Sequence, residues 1–143
     1  MRTSSILAFA GMVAGLFVLI WREAIFATRP LTIAIQIAAA LLMLYARVTF
    51  GRRSFHAAAN PTEGGLVTWG PYGVLRHPIY AAVLYFIWAA VADHPSWINA
   101  GGGALITAGA IARMLLEERM LAARYPEYRD YMRRTRRVVP YVV

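Results

Sequence analysis

The sequence predicts an all-α integral membrane bundle, with about four transmembrane helices and a charged helical segment at the C-terminal end. Its 143 residues are 59% hydrophobic with a mean hydropathy of +0.50, too apolar for an ordinary water-soluble domain. Apolar runs of helical length recur four times, separated by short stretches rich in Arg, Pro and Gly. All fifteen basic residues are arginine, and many sit where an apolar run ends. Despite a pI near 10.6, that placement points to anionic lipid headgroups as the partner and not to nucleic acid. With no cysteine, disulfides, thiolate catalysis and Cys-ligated metals are excluded. A chain of this length is one domain, residues 1–143.

The first run, Ile6 to Trp21, spans roughly 24 Å at 1.5 Å per residue. Arg2 ahead of it resembles the charged end of a signal peptide, but three further runs make it a first membrane helix. Arg22, Glu23, Arg29 and Pro30 end it. The second run covers 31–48, with Gln36 expected to make an interhelical hydrogen bond. Residues 51–69 read as a short interfacial helix and then a loop, in which Gly64-Gly65 lets the backbone approach a ligand. The third helix covers 79–92, and Asp93-His94-Pro95 makes a tight turn. The fourth covers 97–116, where Gly101 to Gly103 and Gly109 are small residues suited to close packing. A charged stretch follows, with an arginine cluster at 133–137 and a short apolar tail from Val138 to Val143.

Four spans place both termini and the loop between the second and third helices on one side. That side carries thirteen of the fifteen arginines, so the positive-inside rule makes it cytoplasmic. The expected location is an integral protein of the membrane, most simply a bacterial inner membrane. On that side lies the stretch Gly70 to Tyr80, GPYGVLRHPIY. Gly70-Pro71 is a turn signal, and Pro78 suits the first position of a helix. Arg76 and His77 then stand at the mouth of an apolar helix, as an interfacial anchor or as part of a site. Arg113 and Glu117, four apart, share a helix face near the same end, as a structural ion pair or as the wall of a polar pocket. Tyr125, Tyr128 and Tyr131 recur every three residues and read as packing residues.

GPYGVLRHPIY followed by EERMLAARYPEYRDYMRRTRRVVP resembles the isoprenylcysteine carboxyl methyltransferase family, within a wider group that includes membrane phospholipid N-methyltransferases. The shared pattern falls on Gly70, Tyr72, Arg76-His77-Pro78, Tyr80, Glu117-Glu118, Leu121, Tyr128, Tyr131, Arg137 and Pro140. It covers about Gly64 to Pro140, and the first two helices carry none of it. The resemblance implies S-adenosylmethionine as methyl donor, held at Gly64, Gly65, Leu66, Val67, Tyr72, His77, Pro78, Ile79, Tyr80 and Glu117. It further implies Arg113 as the residue that meets the acceptor, with Arg113 and Glu117 as the catalytic pair and no metal. The acceptor implied is lipophilic, a prenylated carboxylate reaching the site from the bilayer, with a phospholipid amine as the alternative. Sterol-type reductases, which use NADPH, are similar in the same region, and a non-catalytic relative is a third class. The chain departs from the family at Tyr125-Pro126, where Phe-Gly is usual. Oligomeric state is left open by the sequence.

Overall fold

Among the described residues there are five α-helices, the first four on the apolar runs and the fifth in the charged segment: α1 (Arg2–Trp21), α2 (Pro30–Phe50), α3 (Pro78–Asp93), α4 (Trp97–Arg124) and α5 (Tyr128–Arg134). A short 3-10 turn covers Gly70–Gly73. The structure, a computed structural model, describes residues 2–51 and 66–140. The expected interfacial helix after Gly51 lies outside the described residues. Among the described residues there is no strand, and the protein is an all-helical membrane-type bundle. α1, α2 and α4 are long and apolar enough to cross a membrane. α3, with 16 residues, is about 24 Å long and shorter than the other three.

Proline and polar caps explain where the helices begin. Pro30 and Pro78 open α2 and α3 at positions where a missing N–H costs nothing. Ser96 caps α4 by accepting from the Asn99 N–H at 3.1 Å. α4 does not stop at residue 116, as its apolar run suggests, but continues to Arg124. The added residues, EERMLAAR, are strong helix formers, so the helix outlasts its apolar stretch. Its 28 residues reach about 42 Å, well past a hydrocarbon core of about 30 Å.

α1 packs along α4 and α2 along α3, and the two pairs meet where α3 faces α4. The α1–α4 contact is backbone to backbone. A Cβ on Gly109 would stand 2.6 Å from the Ala8 carbonyl oxygen, and one on Gly15 would stand 2.6 Å from that of Gly102. Such contacts let van der Waals packing hold helices together where no hydrophobic difference from lipid exists. Gly101, one residue around the helix from Gly102, faces open space and takes no part. The core between the pairs is Leu19, Leu84, Ile87, Val91, Ile106, Ala110 and Met114. Leu7, Phe17, Leu31, Leu41 and Val48 point outward, as lipid-facing positions do.

Two polar side chains fasten the end of the bundle away from the site. Gln36 makes the expected interhelical bond, donating to the carbonyls of Ile25 (2.9 Å) and Phe86 (3.3 Å). Asp93 is more than a turn residue. Its buried carboxylate accepts from the backbone N–H groups of Thr28 (2.8 Å) and Arg29 (3.1 Å) and from the hydroxyls of Thr28 and Thr32. Arg29, at the N-cap of α2, makes no side-chain cap of its own, and Asp93 instead satisfies its backbone N–H from across the bundle.

Candidate functional site

The candidate site lies at the N-terminal end of the short helix α3. Pro78 is fully buried at its first position, and His77 is its N-cap with an exposure of only 5%. The chain ahead of α3 is fixed by the C-terminal segment. Arg76 N–H donates to the Arg136 carbonyl, Arg136 N–H to that of Val74 (3.0 Å), and His77 N–H to that of Arg137 (3.1 Å). The Arg76 guanidinium then reaches the carbonyls of Met132 and Thr135, satisfying the C-terminal end of α5. The two halves of the sequence signature, some forty residues apart, are therefore joined by backbone as well as side chains.

Glu118 is the centre of this junction. It is buried, and it accepts from Arg76 Nε at 3.0 Å and from Arg137 Nη2 at 2.9 Å, with His77 Nε2 at 3.3 Å. Beside it, Glu117 is less enclosed, its side chain 23% exposed. Its Oε1 accepts the Tyr80 hydroxyl proton at 2.6 Å, while Oε2 lies 3.7 Å from His77 Nδ1. Arg113 is buried in the bundle. Its Nε donates to the Tyr80 hydroxyl at 2.9 Å, and Nη1 reaches the hydroxyl and carbonyl of Ser5 at 3.3 and 3.4 Å. The Phe9 ring of α1 lies 5.5 Å from the guanidinium carbon. The Arg113–Glu117 pair is thus 3.8 Å apart, with Tyr80 of a different helix bridging it.

A second, apolar part of the site lies against the end of α2. Val67 and Tyr72 are buried with Ala46, and Phe50 and Ile79 pack on them, the Phe50 and Tyr72 rings 5.3 Å apart. Leu66 is half-buried beside Val67 in sequence. The Tyr131 hydroxyl donates to the Tyr72 carbonyl at 2.7 Å, tying α5 to the 3-10 turn. Burial pushes the Tyr72 hydroxyl well above its usual range, with the charges of Tyr131 and Glu117 acting the same way. Tyr128 is 1% exposed, and its hydroxyl has no hydrogen-bond partner among the described residues. Burial, then the Glu118 charge, push it upward too, so it remains a neutral hydroxyl at neutral pH.

The structure brings Tyr72, His77, Pro78, Ile79, Tyr80, Arg113 and Glu117 to one end of the bundle, with Val67 along its α2 flank and Leu66 next to it in the chain. Gly64 and Gly65 lie outside the described residues. His77 is not poised to hold an anion, because both ring nitrogens face carboxylates. Glu117 lies inside α4, not at a helix end. Three further residues belong to the site: Glu118 as its hub, Ser5 on the helix that carries no motif, and Tyr128. Glu118 was findable, since Gly102, Ile106, Ala110, Met114 and Glu118 step by four along the buried face of α4. Nothing in the local sequence marks Ser5. Among the described residues no group of three or more acidic or histidine side chains is placed to hold a metal ion.

The fold and this end of it define a helical membrane-type bundle with a buried ionic cluster. Comparison with protein-family models, with curated proteins and with solved structures gave no match to this chain.

Proposed function

We propose that the protein transfers a methyl group from S-adenosylmethionine to the carboxylate of a lipophilic, isoprenylcysteine-like acceptor at the cytoplasmic face of the membrane. The observation that carries the reading is the state of Arg113. It is a buried guanidinium whose nearest carboxylate is 3.8 Å away and engaged elsewhere by Tyr80. A buried charge held this loosely favours an incoming anion. The whole cluster leans the same way, with Arg76, Arg113 and Arg137 set against Glu117 and Glu118. A carboxylate acceptor suits that balance, whereas a protonated amine does not.

The described residues fit the donor as well. Glu117 Oε2 accepts no hydrogen bond among them and the side chain is 23% exposed, so it can hold the donor's ammonium or a ribose hydroxyl. Val67, Tyr72 and Ile79 offer an apolar wall for a flat ring, with Leu66 next to it in the chain. S-adenosylmethionine, when bound, supplies a methyl group on a sulfonium, so a carboxylate oxygen forms the new O–CH3 bond as the C–S bond breaks and its electron pair stays on sulfur. The chain's own task is alignment. Arg113 orients the acceptor through its planar fork, Glu117 fixes the donor, and Glu118 keeps the intervening loop in place. His77, between the two carboxylates, positions them relative to each other.

The test uses purified protein in lipid nanodiscs. Sinefungin and S-adenosylhomocysteine should raise the melting temperature, and NADPH should not. Labelled donor with N-acetyl-S-farnesylcysteine should give a product that releases methanol in base, as an ester does and a methylated amine does not. Stabilisation by NADPH alone would overturn the reading, and base-stable label would move the acceptor to an amine.

A further inference from the structure

The Tyr80 hydroxyl stands between two groups that would otherwise meet directly. A guanidinium has no acceptor, so Arg113 Nε–H must donate to Tyr80 Oη at 2.9 Å. The hydroxyl has one proton, and it goes to Glu117 Oε1 at 2.6 Å. The polarity of the bridge is fixed: arginine to tyrosine to glutamate. Two consequences follow. On Glu117 the bridge occupies Oε1 and leaves Oε2, which lies 3.7 Å from His77 Nδ1. On Arg113 it occupies Nε and leaves the Nη groups, one with long contacts to Ser5 and the other 3.8 Å from Glu117.

Arg113 and Glu117 are four apart on α4, a spacing at which Arg and Glu side chains readily close on each other. A closed pair would turn the Nη edge and the carboxylate toward one another and away from any ligand. From this geometry we propose that Tyr80 is a positioning residue: its hydroxyl holds Arg113 and Glu117 apart, so that one presents an anion site and the other a cation site. The inference rests on the methyltransferase reading for the identity of the two ligands. It gives Tyr80 a role distinct from direct contact with the donor, because its single proton is already committed to Glu117.

The experiment is a double-mutant cycle read by sinefungin affinity in nanodiscs; sinefungin carries an ammonium where the methyl donor carries its sulfonium. Tyr80→Phe keeps the ring and removes the bridge. It should weaken sinefungin binding about tenfold, the scale of one charge-assisted hydrogen bond. In a Glu117→Gln background the same change should cost less than twofold, because no carboxylate remains for Arg113 to close upon. Equal factors in both backgrounds would overturn the proposal while leaving the methyltransferase reading intact. Failure of the unmodified protein to bind sinefungin or S-adenosylhomocysteine would overturn both. If Tyr80→Phe does not fold, 3-fluorotyrosine at position 80 retains the hydroxyl and reports by 19F NMR. Its signal should shift with sinefungin and stay still in the Glu117→Gln protein, and a shift of equal size in both would overturn the proposal.

Discussion

Replacing Glu118 by Gln should loosen the C-terminal segment from the loop ahead of α3 without disturbing the α1–α4 pair. The change is nearly isosteric, so its effect is electrostatic and directional. Glu118 Oε1 takes Arg76 Nε at 3.0 Å, Arg137 Nε at 3.1 Å and His77 Nε2 at 3.3 Å, and Oε2 takes Arg137 Nη2 at 2.9 Å. Whichever way the amide turns, its NH2 group meets an arginine N–H. Removing one partner of a buried ion pair costs about 3–5 kcal/mol. Arg137 is 37% exposed and its share is screened, whereas Arg76 is 8% exposed and keeps its full penalty. The expected loss is therefore about 3 kcal/mol, at the low end of that range. Its location matters as much as its size. Arg76 also holds the last carbonyls of α5, so hydrogen exchange should speed up at Arg76, His77 and Thr135 while amides of α1 stay protected. The assay is unfolding in mixed micelles together with exchange mass spectrometry, with exposed Glu127→Gln as the control, expected within about 0.5 kcal/mol of the parent. An unchanged midpoint with unchanged protection at Arg76 and His77 would refute the placing of Glu118 at the centre of the site.

Gly109→Val should lower the melting temperature by forcing α1 off α4, because its Cβ alone would lie 2.6 Å from a backbone oxygen; overpacking of this kind costs about 1–3 kcal/mol. A variant with parental stability would mean that α1 does not pack there. Asp93→Ala should lower the detergent melting temperature, and Asp93→Asn should not restore it fully, since the two backbone N–H groups go to different carboxylate oxygens and an amide keeps only one acceptor; full rescue by Asn would show that these bonds do not hold the start of α2. Arg22 and Arg133 are exposed at opposite ends of the bundle, and the chain has no native thiol. In sealed cells an impermeant maleimide should label Arg22→Cys and not Arg133→Cys, and labelling of Arg133→Cys alone would reverse the proposed orientation.

The helices themselves were legible because lipid exposure demands long apolar runs, and prolines mark two of the starts. Their ends were less so. The apolar run of α4 finishes near residue 116, yet the helix needs only good helix formers and one buried stripe to continue, and EERMLAAR supplies both. Extending that stripe by four from Met114 lands on Glu118, while the i,i+4 rule from Arg113 lands on Glu117. The i,i+4 rule found the Arg113–Glu117 pair, which the structure keeps at 3.8 Å, but no local rule supplied the partners of Glu118. Glu118 binds Arg76, forty-two positions away, and Arg113 is bridged by Tyr80 of α3 and touched by Ser5 of α1. Contacts of that range follow from which helices become neighbours, and helix periodicity alone does not specify neighbours. Asp93 shows the same gap from the other end of the bundle, a turn residue by sequence and a helix cap in space.

The brevity of α3 links these long-range contacts. A helix of about 24 Å fastened at Asp93 to the start of α2 is shorter than a hydrocarbon core of about 30 Å, whereas α4, at about 42 Å, is longer. The loop ahead of it must therefore descend along α4, which carries Arg76 to Glu118 and His77 and Tyr80 to Glu117. Lengthening α3 by one turn would lift that loop about 5.4 Å and part each of these pairs. Insertion of four alanines after Ala82 makes the idea measurable, because it should abolish sinefungin binding while the α1–α4 pair still melts cooperatively; retained binding would show that the depth of the site is set by something other than the length of α3.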